Sequence, residues 1–284
     1  MPSQIELEAA EHNLKEGKKL KKQGQLEAAI KKYQTALDIY PEYIQPLQQL
    51  AEINQQKKQF NQAIKCYEKI ITINPDNAAA YLSLAKVSQK QKNINAAITY
   101  YQKAIAIEPK QPVKIYINLA NSLKQQGQTL QAIHAYRKAI KLRAKQPVNV
   151  YIKLGDALQK QQKIDAAIST YQQAIEIQPN HPNIYLSLGN ALMIKGQVDE
   201  AISNYQKSLQ VKSDSVLAYQ HLGDAYQKKG ELDNALECYL KASELKPNQT
   251  TIYRLIGDTL LRKGLDSQAL NYYRQALLAE DSED

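Results

Sequence analysis

An all-α architecture, a tandem array of eight helical hairpins, is the fold this sequence predicts. Three observations carry it. Tyrosine occurs 19 times against one phenylalanine and no tryptophan. Eight of these, Tyr33, Tyr67, Tyr101, Tyr136, Tyr171, Tyr205, Tyr239 and Tyr273, recur at intervals of 34 or 35 residues. Four residues before each stands an alanine, from Ala29 to Ala269, and three residues after each a small residue, except at Ile70. A fixed period of this length is the mark of a repeat architecture.

With the invariant alanine as position 20, the units begin at residues 10, 44, 78, 113, 148, 182, 216 and 250. Residues 1–9 then extend the first helix, and 10–284 are expected to form a single solenoid. Apolar residues at positions 4, 7, 8 and 11 mark one face of a first helix, and those at 17, 20, 24 and 27 one face of a second. Position 4 is Tyr81, Tyr116, Tyr151, Tyr185, Tyr219 and Tyr253 in six units, and position 8 is always glycine or alanine. Small residues at 8 and 20 let two helix backbones approach, and the tyrosine at 24 fills the gap beside them. Gly24, Gly127, Gly196, Gly230 and Gly264 fall between the helices, where a helix end favours a left-handed residue. Pro41, Pro75, Pro109, Pro179 and Pro247 stop the second helix, because proline cannot continue its hydrogen-bond ladder. Pro46, Pro112, Pro147 and Pro182 open the next first helix, where a missing N–H costs little.

This pattern resembles the tetratricopeptide repeat (TPR) over residues 10–284, with tyrosine in place of the usual tryptophan at position 4. The resemblance implies a right-handed superhelical solenoid in which each hairpin buries its apolar face against its neighbours. It also implies a concave groove lined by first helices, whose positions 2, 5, 6, 9, 12 and 13 face a bound partner. The first unit departs, with Asn13 and Glu16 at positions 4 and 7, as suits a terminal repeat. Ala144, Ser213 and Asp281 replace the closing proline in units four, six and eight.

Composition narrows the function. No apolar stretch reaches the roughly 18 residues of a membrane span, and the charged start lacks the apolar middle of a secretion signal. Two cysteines, Cys66 and Cys238, form no disulfide framework, so a cytoplasmic protein is expected. The net charge of +9 allows an acidic or nucleic-acid partner. The basic residues are mostly lysine, with arginine only at 137, 143, 254, 262 and 274. Arginine supplies the planar fork that phosphate and base recognition favours; lysine spread over many helices reads as a soluble surface, and the composition argues against nucleic acid. His12, His134, His181 and His221 fall in different units at different positions. No metal motif, phosphate loop or catalytic set is present, so neither enzyme activity nor a cofactor is expected.

The expected role is a protein–protein scaffold or adaptor that binds a partner peptide in its groove. A basic and polar part of that groove is Lys86, Lys90, Lys114, Asn118, Asn121, Lys124 and Lys153. Lysines and asparagines together can bind a carboxylate, which points to a partner with an acidic segment. An apolar row is Leu82, Ile117, Ile152 and Leu186, extended by Met193 and Ile194. The acids at position 9 pair on paper with bases one turn later, Asp156 with Lys160, Asp224 with Lys228 and Asp258 with Arg262. Such pairs contribute about 0.2–0.5 kcal/mol each. An alternative role is the substrate-recruiting arm of a larger enzyme such as a glycosyltransferase. There the resemblance implies asparagine at position 6 along the groove, where this sequence has only Asn118. The sequence closes on Leu277, Leu278 and AEDSED without a capping helix, from which self-association through the last repeat, or a longer protein, is expected.

Overall fold

The structure, a computed structural model, describes residues 2–142 and 147–280. The closing position Ala144 of unit four, and Asp281 with the rest of the acidic end, lie outside the described residues. Contacts divide the chain into two bodies, residues 1–142 and 143–284. Among the described residues there are sixteen α-helices and no strand.

The first body holds α1 (Gln4–Lys22), α2 (Leu26–Ile39), α3 (Ile44–Gln56), α4 (Phe60–Ile73), α5 (Ala78–Lys90), α6 (Ile94–Ile107), α7 (Val113–Gln125) and α8 (Thr129–Leu142). The second holds α9 (Val148–Lys160), α10 (Ile164–Ile177), α11 (Pro182–Lys195), α12 (Val198–Val211), α13 (Val216–Lys229), α14 (Leu232–Leu245), α15 (Thr250–Arg262) and α16 (Asp266–Glu280). Within each body every odd-numbered helix packs on the helix after it, and that helix packs on the next odd one. The core is therefore a series of repeated layers. Its largest fully buried side chains are the position-24 tyrosines Tyr33, Tyr101, Tyr136, Tyr171, Tyr205 and Tyr239.

Close approach explains the small residues. A Cβ on Gly17 would lie 2.5 Å from the Tyr33 ring, and one on Gly223 2.5 Å from the Tyr239 ring. The glycine at position 8 thus makes room for the tyrosine at 24 of the same hairpin. The turn between the two helices is left-handed at position 15 in every unit. The five glycines there have φ between 75° and 88°, and Lys58, Lys92 and Gln162 take φ of 58°, 61° and 58°. The glycines marked five of these turns, and the repeat imposes the same geometry on the other three.

Successive hairpins are also tied at their turns. Position 14 of one unit meets position 18 of the unit before: Lys57 pairs with Glu27 at 2.5 Å, Lys195 with Asp165 at 2.8 Å, Lys229 with Asp199 at 2.9 Å, and Lys263 with Asp233. Between units two and three an amide pair takes their place, and Gln91 donates to Asn61 at 2.7 Å. These exposed pairs are each worth only ~0.2–1 kcal/mol, but their matched chemistry fixes which faces of neighbouring repeats meet.

Candidate protein-interaction surface

The position-24 tyrosines bring buried hydroxyls to the base of the first helices, and each needs a partner. In units four to eight it is the residue at position 9. Tyr136 donates to Asn121, Tyr205 to Asn190, Tyr239 to Asp224 and Tyr273 to Asp258, all at 2.7 Å, and Tyr171 to Asp156 at 2.8 Å. Units two and three carry Glu52 and Lys86 at position 9, and there a glutamine at position 12 takes over. Gln55 donates to Tyr67 at 2.7 Å, and Tyr101 donates to Gln89 at 2.8 Å. The position-9 acids, read from the sequence as partners of bases one turn on, are tyrosine acceptors. The ammonium of Lys228 bonds to the Met193 carbonyl at 3.3 Å, not to Asp224. A signal for this was present in the sequence: position 12 is glutamine wherever position 9 of units two to eight lacks Asn or Asp.

The residues expected to line a groove divide, in the first body, by these commitments. Lys86 and Lys90 stand one turn apart and exposed on α5, and Lys114 is exposed at the start of α7. Lys90 lies 5.9 Å over the Phe60 ring. Among the described residues no carboxylate pairs with these three lysines. Asn118 is half-buried and donates to the Tyr101 hydroxyl at 3.4 Å, while Gln89 donates to Ser122 at 2.8 Å. That network ties α5, α6 and α7 together beneath the surface. Asn121 holds Tyr136, and Lys124 beside it is half-buried. Leu82 and Ile117 are half-buried. The second body carries Ile152 and Lys153 half-buried on α9, and Leu186 and Met193 half-buried on α11 with Ile194 54% exposed. On α16, Leu270 and Leu277 are also exposed, though their counterparts in the other units are covered or, at one position, replaced by Ser243.

The lysines are not evenly spread, contrary to the reading from composition. Residues 77–155 contain 13 lysines and arginines and a single acid, Glu108, a net +12 against +9 for the whole chain. The remaining residues are therefore slightly acidic. Helices α6, α7 and α8 contain no carboxylate.

Reactive groups are not part of this surface. Burial pushes the Cys66 thiol up and the Cys238 thiol to about 12, so neither favours the thiolate. Among the described residues no three His, Cys, Asp or Glu side chains gather to hold a metal, and no helix is long and apolar enough to cross a membrane.

Comparison with known proteins agrees with the architecture. The family model described as "TPR repeat" matches residues 155–193, 189–230 and 223–264. Models described as "Tetratricopeptide repeat" match 20–87 and 56–114, and 113–146. No curated protein matches the chain. A crystal structure of MamA is 27% identical over 58% of this chain and 96% of its own, with a TM-score of 0.55. MamA from Desulfovibrio magneticus RS-1, residue 41 to its end, is 20% identical over 61% and 98%, with a TM-score of 0.57. YrrB, described as a TPR protein with an unusual peptide-binding site, is 22% identical over 67% and 97%, with a TM-score of 0.56. The repeat-by-repeat family matches, laid over hairpins whose tyrosine, glycine and turn geometry recur in register, show that the chain belongs to the tetratricopeptide-repeat family.

Proposed function

We propose that the chain is a protein-interaction scaffold whose groove in units three and four holds an acidic segment of a partner protein. The observation that carries this reading is the concentration of 13 bases against one acid in residues 77–155. Fields of one sign raise association rates and select partners of the opposite sign. Lys86, Lys90 and Lys114 supply exposed ammonium groups without a carboxylate partner among the described residues, and Leu82 and Ile117 supply half-buried aliphatic contact beside them. Asn118 and Asn121 act mainly beneath the surface, holding the tyrosines that fix the first helices. YrrB, a chain of the same fold, is described as having a peptide-binding site.

The test is titration of a fluorescent polyglutamate peptide into the wild type and into the Lys86→Glu/Lys90→Glu variant at low and at physiological salt. The expected result is a loss of about tenfold in affinity for the variant, or ~1.4 kcal/mol, together with weakening of wild-type binding as salt rises. Equal affinity for the two proteins would remove the lysines from the site.

A further inference from the structure

A second surface in the first body has a shape that the chain itself explains. A shallow pocket of about 540 Å³ opens between α6, α7 and α8. Its floor is apolar, with Ile105, Tyr116, Leu119 and Leu123, and its rim includes His134 and Lys138. The α7 residues in it stand at positions 4, 7 and 11 of the repeat, whereas the groove residues of α7 stand at 2, 5, 6, 9 and 12. The two surfaces use different faces of that helix.

The residue at position 23 separates this pocket from the same place in units three and eight. In unit three it is Tyr100, whose ring packs 6.3 Å from that of Tyr81 at position 4. In unit eight it is Tyr272, 6.2 Å from Tyr253 at the same place. In unit four it is Ala135, the smallest residue at this position in any of the eight repeats. Tyr116 at position 4 of unit four therefore has no second ring beside it, and the space remains open. Position 26 repeats the comparison. Lys103 in unit three stands 5.5 Å over the Tyr81 ring, and Lys138 in unit four stands at the rim of the open pocket.

We infer that this pocket is a second docking site, which takes an aromatic side chain from an acidic stretch of a partner protein. Two independent arguments fix that chemistry. Two sister repeats, units three and eight, fill the equivalent space with tyrosine, so an aromatic ring suits its size and its floor; edge-to-face and offset ring pairs add to the area buried, and a lysine over the ring adds attraction. Helices α6 and α8 bring Lys103, Arg137, Lys138 and Lys141, and α6, α7 and α8 contain no acid, so residues flanking the anchor meet complementary charge when they are Asp or Glu. An aromatic anchor in a pocket, with charges around it, is the usual division of labour in an interface. This site stands apart from the groove and does not depend on it.

Selection of phage-displayed random peptides on the full chain tests the inference, followed by titration of the enriched peptides into variants. Ala135→Tyr closes the pocket with a residue that units three and eight already carry there, and Ala135→Met is a smaller plug should the tyrosine disturb folding. The expected result is enrichment of peptides with Tyr, Phe or Trp among Asp and Glu. Their affinity should fall at least about tenfold on Ala135→Tyr or Ala135→Met and by a smaller factor on Lys138→Glu, with little change on Lys86→Glu/Lys90→Glu. Enriched peptides that lack an aromatic residue, that bind both Ala135 variants as tightly as the wild type, or that are lost only on the Lys86/Lys90 variant would overturn it. So would failure to enrich any peptide while a uridine oligonucleotide binds.

Discussion

Tyr239 donates its hydroxyl to Asp224 at 2.7 Å, across the two helices of one hairpin and fifteen residues apart in sequence. The ring is fully buried and the carboxylate is about half exposed. The bond joins a core residue to a partly exposed residue of the first helix, so one interaction serves both packing and surface shape. Hydrogen bonds to charged groups contribute ~1.5–3 kcal/mol, and the partial exposure of Asp224 places this one near the lower end. In a double-mutant cycle, Tyr239→Phe and Asp224→Ala should each destabilise the chain, and their coupling should be about 1.5 kcal/mol in urea unfolding. Strict additivity would show that the two act separately.

Tyr33 makes the opposite case. Its hydroxyl is buried without a protein partner, because positions 9 and 12 of unit one are Lys18 and Lys21. Lys18 turns to Gln45, and Lys21 turns to Gln49 and Glu52, all in the next unit. An unsatisfied buried hydroxyl costs about 1–3 kcal/mol. Tyr33→Phe should therefore leave stability unchanged or raise it by up to ~1 kcal/mol, while Tyr205→Phe, which breaks the bond to Asn190, should lower it by a similar amount. Thermal unfolding of the two variants side by side reads the contrast, and equal losses would contradict it.

The helix count, the hairpin boundaries and the small residues at 8 and 20 were legible in the sequence because all eight units obey the same steric demand. The partners of the tyrosines left a trace only in the joint choice of residues at positions 9 and 12, because a hydroxyl at position 24 reaches back to one of them across the hairpin, and helical periodicity shows no such contact. Asp224 and Lys228 looked like a pair because they share one turn of one helix. The tertiary contact prevails because the tyrosine is buried and must be satisfied, whereas Lys228 at the surface has other acceptors. The basic block was missed for a different reason: lysines compared by repeat position look scattered, and only when read along the chain do Lys86 to Lys153 form a run interrupted by Glu108 alone. The pocket beside Ala135 also needed the structure, since an alanine at a helix position that varies among the repeats carries no signal until its neighbours Tyr116 and Ile105 are seen.

Alkaline pH should unfold the chain through the same tyrosines. Burial, with help from Glu52, pushes the Tyr33 hydroxyl to about 12. Burial raises Tyr171 and Tyr239 further, together with their bonded Asp156 and Asp224, and raises Tyr205 with Asp224 nearby. Unfolded tyrosine titrates near 10. The folded chain thus holds protons that the unfolded chain releases, so this contribution to stability is complete below about pH 10 and is lost as pH rises toward the folded values. Urea midpoints should stay level up to about pH 9.5 and fall steeply between about pH 10 and 12, with the last part of the tyrosinate absorbance appearing in step with unfolding. Full tyrosinate absorbance, from all 19 side chains, reached while the helix persists would mean that these hydroxyls titrate in the folded chain.

The left-handed turns give the most direct route to a more stable chain. Lys58, Lys92 and Gln162 hold φ near 60° at the position where five other repeats carry glycine. A side chain in that conformation costs about 1–2 kcal/mol relative to the right-handed region, and glycine removes the clash at the expense of a more flexible unfolded chain. Each substitution, Lys58→Gly, Lys92→Gly and Gln162→Gly, should therefore raise stability by ~0.5–1 kcal/mol. The three turns belong to different repeats and share no partner, so their effects should add to about 2 kcal/mol in the triple variant. Lys92→Gly also removes one charge from the basic block without touching Lys86 or Lys90, so its affinity for an acidic peptide should stay within about twofold of the wild type. A lower denaturation midpoint for any of the three would show that its side chain makes a contact worth more than the strain it carries.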